Sequence, residues 1–332
     1  MTRTAVHTIG VVIPVYRGRL TLGELVDEIL GSDTDGTTAD GHPFRVEEVL
    51  LVHDCGDDDS AGLIRELAER HELVRPIWLS RNFGQHAATL AGMASTASDW
   101  IVTMDEDGEH DPAAIPAMID RAMSEQATVV YADPVNAAPH SRLRNIASHT
   151  TKTMFTALLS NGTQPRFSSF RLVLGEVGRS VAAYGGEGVY LDVALGWITQ
   201  RFATCPVELR SGTARRSTYR LRSLLSHFWR LVLSSGTRPL RLVSLTGLLF
   251  AVLGACASVL VVVLRLTGRA EAAGWTSLSL IVLIGTGTTL FSLGLVAEYI
   301  GVTVRRALGK PAFLIVSDLA DGPLGRRPVE RE

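Results

Sequence analysis

Between residue 8 and about residue 135, short apolar runs alternate with segments whose apolar positions recur at helical spacing. The runs "TIGVVIPVY", "VEEVLLVHD", "VRPIWLS", "DWIVTMD" and "TVVYADP" read as strands. Between them, "LTLGELVDEIL" places Leu22, Leu25, Val26 and Ile29 on one helical face. "DSAGLIRELAERH", "QHAATLAGMAS" and "DPAAIPAMIDRAM" continue the helical set, the last opened by an acidic cap and Pro112. Strands alternating with crossover helices predict an α/β fold with a mostly parallel, doubly wound sheet. Ligands of such sheets bind beyond the carboxyl ends of the strands.

The pattern changes after residue 220. Leu242–Leu264 and Gly274–Ala297 contain no charged residue. Apolar runs longer than about 18 residues read as transmembrane helices, because about 20 residues cross the hydrocarbon core. Arg220, Arg222, Arg230, Arg238 and Arg241 precede the first run, and Arg305, Arg306 and Lys310 follow the second. The positive-inside rule then places both termini in the cytoplasm of a multi-pass protein of the plasma membrane. Upstream, "LRSLLSHFWRLVL" combines helical apolar spacing with basic residues and Trp229, as a helix lying in the membrane interface does. The expected organisation is a cytoplasmic domain over 1–220, an interfacial helix over 221–240, two spans within 241–300 (about 242–265 and 275–298) and a cytoplasmic tail over 301–332.

The chain of 332 residues is 46% hydrophobic with a formal net charge of −2, which gives no support for nucleic-acid binding. Its three cysteines show no metal-ligand spacing and no disulfide framework. The N-terminal apolar run contains Pro14 and no small-residue cleavage pattern, so it reads as a strand, not a signal peptide. No G-x-G-x-x-G follows the first strand and no Walker A lysine loop occurs, which disfavours dinucleotide and P-loop readings.

The chemistry concentrates at predicted strand ends. In "WIVTMDEDGEHDP", Asp105, Glu106, Asp107, Glu109 and Asp111 follow an apolar run directly. Crowded like charges raise each other's pKa values, so such a loop is either solvated or built around a cation. Asp105 and Asp107, two apart, leave the same face of an extended segment and can converge on one point. Mg²⁺ is commonly held by one or two carboxylates plus substrate phosphates, so the pair suits a metal–diphosphate, with Glu109 able to add an oxygen. His110 and Asp111 are expected to cap the following helix.

Four stretches, "VVIPVY" (11–16), "VHDCGDDDS" (52–60), "LSRNFGQHAATLAGM" (79–93) and "VTMDEDGEHDP" (102–112), together resemble the family 2 glycosyltransferases of the GT-A fold. The likeness is to their polyprenyl-phosphate branch, the dolichyl-phosphate mannose synthases and bactoprenol glucosyltransferases. It spans roughly residues 8–315, ending in "AEYIGVTVRRALGKPAF" (297–313). The resemblance implies inverting transfer of a sugar from a nucleotide-diphosphate donor to polyprenyl phosphate at the bilayer, with Mg²⁺ or Mn²⁺. A homo-oligomer is compatible with it. Pro14, Tyr16, Val52, Asp54, Arg81, Asp105 and Glu106 are then expected at the nucleotide sugar. Asp105, Asp107 and Glu109 are expected at the metal, Arg171 with Asp105 and Asp107 in catalysis, and Arg210, Arg215 and Arg216 at the acceptor phosphate.

The chain departs from the family's pattern at four places. His53 stands where many members have aspartate or asparagine, and Gly18 near a frequent glutamate. Ser169 in "SSFRL" replaces an aspartate, and Thr218 takes a lysine's place. A lipid monophosphate carries about −1.5 to −2 charge at neutral pH and attacks without a strong base, so Ser169 is compatible with transfer. The rival expectations are a processive or hydroxyl-directed transferase and an inactive homologue serving as a scaffold. The absence of Q-x-x-R-W and the presence of only two apolar runs weigh against the first; the intact Asp105/Asp107 pair weighs against the second.

Overall fold

The computed structural model describes residues 6–31, 34–136, 167–186, 190–210, 275–307 and 311–318, residue 320, and single positions between 252 and 267. The chain divides into two units, one of residues 1–219 with 311–332 and the other of residues 220–310.

The first unit is built on a nine-stranded sheet. In chain order the strands are β1 (His7–Val15), β2 (Asp35–Thr37), β3 (Pro43–His53), β4 (Val74–Leu79), β5 (Trp100–Thr103), β6 (Val129–Pro134), β7 (Arg171–Leu174), β8 (Phe202–Val207) and β9 (Ile315–Val316). Across the sheet they run β8-β6-β7-β5-β1-β3-β4-β9, with β2 on β3. The pairs β1–β3, β1–β5, β3–β4 and β6–β8 are parallel, while β2, β7 and β9 run antiparallel to their neighbours. This is the mostly parallel sheet that the alternation predicts. The motif after the fourth predicted strand follows the fifth observed one, because β2 forms a short antiparallel addition that its composition, "DGT", does not signal.

Every residue from Ile9 to Val15 is buried, as in a strand covered on both faces. The period of two divides the apolar residues between the faces. Ile9, Val11, Ile13 and Val15 pack with Val49, Leu51 and Val102 against α1 (Leu22–Gly31), α2 (Ser60–Arg70) and α4 (Ile115–Glu125). Val12, Leu50, Val52 and Ile101 pack against α3 (Gln85–Ala94), α5 (Gly175–Tyr184) and α6 (Leu191–Ile198).

The strand order fixes where a ligand can sit. From β1 the chain winds outward through β3 and β4, then returns to lay β5 on the other side of β1. The two windings part at the carboxyl ends of β1 and β5, where a crevice opens.

The expected tail behaves differently from a tail. β9 pairs antiparallel with β4, Trp78 opposite Val316 and Leu79 opposite Ile315. Ser80 N donates to Leu314 O (3.0 Å), and Arg65 grips the buried Asp318 carboxylate through Nε (2.5 Å) and Nη2 (2.8 Å). That guanidinium holds the Asp318 carboxyl below its usual range. Two residues of strand are too short a signal to read from the sequence, and the partner lies far back in the chain.

In the second unit the described helix α7 spans Trp275–Ala307. It contains the second expected span. The first lies outside the described residues apart from scattered positions, as does the interfacial segment 221–240. Among the described residues no helix is long and apolar enough to cross a membrane.

Asp318→Asn is expected to lower the unfolding free energy of the first unit by about 2 kcal/mol, the scale of a charge-assisted hydrogen bond. Because the folded Asp318 pKa is depressed, wild type should lose the same increment as pH falls through that value, while the variant shows no such loss. Denaturant titrations at neutral and acidic pH check both.

Candidate active site

The last ladder bond between the two windings runs from Met104 N to Val12 O (3.1 Å). Beyond it the acidic loop folds on itself. Asp105 N donates to His110 Nδ1 (3.1 Å), Gly108 adopts a positive φ of 74°, and Glu109 N donates to Asp107 Oδ1 (3.1 Å). His110 is buried and stacks on Phe170 with centroids 5.1 Å apart. The capping expectation therefore divides. Asp111 caps the turn Pro112–Ala114 by accepting from Ala113 N (2.9 Å), whereas His110 closes the acidic loop.

Asp105 lies on a cleft of about 210 Å³ bordered by β1, β5, β7 and the first turn of α3. Both of its oxygens are oriented by neutral donors, Oδ1 by Gln85 Nε2 (2.5 Å) and Oδ2 by the Ser169 hydroxyl (2.6 Å). Thr103 Oγ1 in turn donates to Ser169 O (2.6 Å). Ser169, a departure in the motif, thus holds Asp105 with a hydroxyl where an aspartate would place a second negative charge. Asp107 is exposed beside it.

Among the described residues, neither Asp105 nor Asp107 forms an ion pair, although arginines neutralise carboxylates all around them. Arg17 pairs with Asp57, Arg19 with Asp59, and Arg210 with both Glu28 and Asp111. No three His, Cys, Asp or Glu side chains are gathered into a ready metal cluster among the described residues. Glu109 is accordingly not drawn in with the two aspartates; its carbonyl accepts from Arg210 N (3.0 Å). Two carboxylates with no ion-pairing base among the described residues suit a divalent cation that brings further ligands from a diphosphate.

The residues expected at the nucleotide sugar fall into three groups. Pro14 lines the cleft and Tyr16 stands exposed at the end of β1, both available to a ligand. Arg81 is exposed, its guanidinium 4.0 Å from the centre of the Phe83 ring. Asp54 and Glu106 instead hold loops. Asp54 is 3% exposed and accepts from Phe83 N (2.7 Å) and Gly84 N (2.8 Å), which fixes the "RNFG" turn. Burial pushes its pKa up, opposed by those two amides. Glu106 accepts from Tyr16 N (2.9 Å) and Arg17 N (2.9 Å). Val52 belongs to the core: it is 0% exposed and packs where α3 crosses the sheet, so its side chain does not reach a nucleotide. One position earlier or later along the strand faces the other side, and linear spacing does not tell which side the pocket takes.

Arg171 lines the cleft but is 3% exposed and ion-paired to the buried Asp192, whose Oδ1 also accepts from Tyr131 OH (3.0 Å). Burial holds the Tyr131 phenol well above its ordinary pKa. The expected catalytic arginine is therefore the centre of a buried structural network, as a cationic partner of a buried carboxylate must be in a low-dielectric interior. Arg210 is occupied by Glu28 and Asp111, and Arg215, Arg216 and Thr218 lie outside the described residues. His53 packs edge-on against Trp78 at 5.3 Å and burial lowers its pKa, as for a neutral wall residue.

Gln85, His86, Tyr190 and Asp192 also line the cleft and went unselected in the sequence. His86 and Tyr190 face each other with ring centres 4.2 Å apart. Asp192 did carry a signal: it is a lone charge in the otherwise apolar "LDVALGWI", which demands a buried partner.

The class that the fold and the acidic pair at its switch point fit is that of the glycosyltransferases. The chain belongs to the family described as Glycosyl transferase family 2, whose pattern matches residues 10–177, and it is a glycosyltransferase of GT-A-like fold. It is 28% identical over 327 residues to the undecaprenyl-phosphate 4-deoxy-4-formamido-L-arabinose transferase of Aeromonas hydrophila subsp. hydrophila, covering 95% of each chain. To the enzyme of that name from Pseudomonas fluorescens it is 28% identical over 336 residues, covering 98% of this chain and 93% of the other. Among solved structures, glucosyl-3-phosphoglycerate synthase from Mycobacterium tuberculosis in complex with Mn²⁺ and uridine-diphosphate-glucose superposes with a TM-score of 0.49 at 19% identity. That superposition covers 70% of this chain and 79% of the other.

Arg171→Ala is expected to act on stability first. Leaving Asp192 charged and unpaired in the interior should cost about 3–5 kcal/mol, read from chemical denaturation. Arg171→Lys, which keeps the charge, should recover part of it.

Proposed function

We propose that the protein transfers a sugar from a nucleoside-diphosphate sugar to a polyprenyl phosphate at the cytoplasmic face of the plasma membrane, with inversion and with a divalent cation at Asp105 and Asp107. The observation that carries this reading is the oriented acidic pair at the switch point, unpaired among the described residues and surrounded by neutralised carboxylates. The relatives named for undecaprenyl phosphate, matched along 93–95% of their own length, support the acceptor class.

In the proposed reaction an acceptor phosphate oxygen attacks the anomeric carbon of the sugar. The bond from that carbon to the diphosphate oxygen breaks, and the nucleoside diphosphate departs with the bonding pair. Asp105, set by Gln85 and Ser169, and Asp107 would hold Mg²⁺ or Mn²⁺, which when bound supplies Lewis-acid neutralisation of the leaving diphosphate. Pro14 and Tyr16 would border the nucleoside, and Asp54 would keep the turn with Arg81 shaped against it. The acceptor arrives already ionised, so the site needs no general base, and a neutral Ser169 beside Asp105 fits a dianionic nucleophile better than another carboxylate would. Arg210, Arg215 and Arg216 are proposed for the acceptor phosphate, as guanidinium–phosphate pairs are geometrically matched. Arg210 would then exchange Glu28 and Asp111 for phosphate.

The proposed anchor rests on the uncharged runs at 242–264 and 274–297. A second argument comes from connectivity. The chain leaves the catalytic unit near residue 219 and has rejoined its sheet by Ile315. The intervening segment thus begins and ends on one side of any membrane it enters, which requires an even number of crossings.

Membranes carrying the full chain should transfer radiolabel from one of a panel of UDP-, GDP- and dTDP-sugars to undecaprenyl phosphate. The Asp105→Asn/Asp107→Asn variant should lose at least about a hundredfold, since several kcal/mol of charge stabilisation corresponds to two or more decades. Full activity in that variant would remove the cation from the account. A labelling reporter in the 266–273 connector should report the side of the membrane opposite to one fused after residue 332.

A further inference from the structure

Between the two aspartates stands a carboxylate that points elsewhere. In the turn that follows β5, Glu106 reaches back toward the segment after β1. Its Oε2 accepts from Tyr16 N (2.9 Å) and Arg17 N (3.3 Å), and its Oε1 accepts from Arg17 N (2.9 Å). The Glu106 carbonyl is also held, accepting from Thr21 Oγ1 (2.5 Å). The β1–β5 register ends at Val12 opposite Thr103, so Glu106 continues the junction of the two strands after their ladder has run out.

Gly18 is shaped to this carboxylate. A Cβ at that position would lie 2.6 Å from Glu106 Oε2, 3.3 Å from its Cδ and 3.3 Å from Leu22 Cβ. A side chain at 18 would require the Glu106 carboxylate to leave its present position. On the far side, a Cβ on Gly56 would lie 1.6 Å from Tyr16 O, so the backbone of Tyr16 is confined between Gly56 and Glu106. The amides of Tyr16 and Arg17 form a small anion-binding concavity, and the protein fills it with its own carboxylate.

We infer that Glu106 and Gly18 form a latch that sets the distance between Tyr16 and the Asp105/Asp107 pair, making Glu106 a positioning residue for donor binding and not a metal ligand. The inference rests on the donor reading above, in which Tyr16 borders the nucleoside while the aspartates face the diphosphate. A single side chain then fixes the span between the two ends of the donor. It also gives the glycine at 18 a reason: the carboxylate that engages this turn comes from the acidic loop, and only a residue without Cβ leaves room for it.

The test is calorimetric binding of UDP, GDP and dTDP, each with Mn²⁺, to the purified full chain, with thermal midpoints recorded alongside. For the nucleotide that wild type binds, Glu106→Gln and Gly18→Ala should each weaken binding roughly tenfold or more, the scale expected for an ångström-level misplacement. Removing the side chain removes the clash, so Gly18→Ala/Glu106→Ala should bind no more weakly than Glu106→Ala alone. Wild-type binding by Glu106→Gln would overturn the latch, as would penalties of Gly18→Ala and Glu106→Ala that simply add, the behaviour of a direct ligand. If wild type binds none of the three nucleotides, the donor reading falls and the latch with it. That outcome is separable, because it appears in the wild type before any substitution.

Discussion

Two carboxylates at the end of β5, neither in an ion pair among the described residues, are the constraint around which the site is arranged. Among the described residues the fold forms no ion pair with Asp105 or Asp107, although it does so for Asp57, Asp59 and Asp111 nearby, and Arg171 acts on Asp105 only through its field. The fold orients Asp105 with two neutral hydrogen bonds instead. The sheet supplies the place: β1 and β5 end together where the winding reverses.

Around that pair the remaining polar groups divide by task. Asp54 and Glu106, which sequence reading placed against the ligand, hold turns by accepting backbone amides. Arg171 and Asp192 anchor the floor of the cleft through a buried ion pair, with Tyr131 on the same oxygen. Pro14 and Asp105 line the cleft together with Gln85, His86, Ser169 and Tyr190, while Tyr16 and Asp107 stand exposed near it.

Much of this was legible in the chain. The alternation from Ile9 to Pro134 gave the order and type of the main strands and helices, because a strand buried on both faces and an amphipathic helix have different periods. The acidic pair was legible because its spacing matches a strand's and its position follows an apolar run. Several features were not legible. β2 and β9 are short and owe their existence to a neighbour supplied by distant sequence. Val52 and Arg171 were read by position in a motif, but their roles depend on which face of the sheet their side chains take and on partners such as Asp192, which only the folded chain brings close. The glycine at 18 looked like a loss until Glu106 was seen to occupy its space.

The central claim is that Asp105 and Asp107 hold a divalent cation against the diphosphate of an activated sugar. Anomalous diffraction from Mn²⁺ in crystals grown with the bound nucleoside diphosphate tests it most directly. A single strong peak is expected within coordination distance of both aspartates and of the diphosphate oxygens. A nucleotide seated in the cleft with no metal at that pair, or a metal and nucleotide bound together elsewhere on the unit, would contradict it.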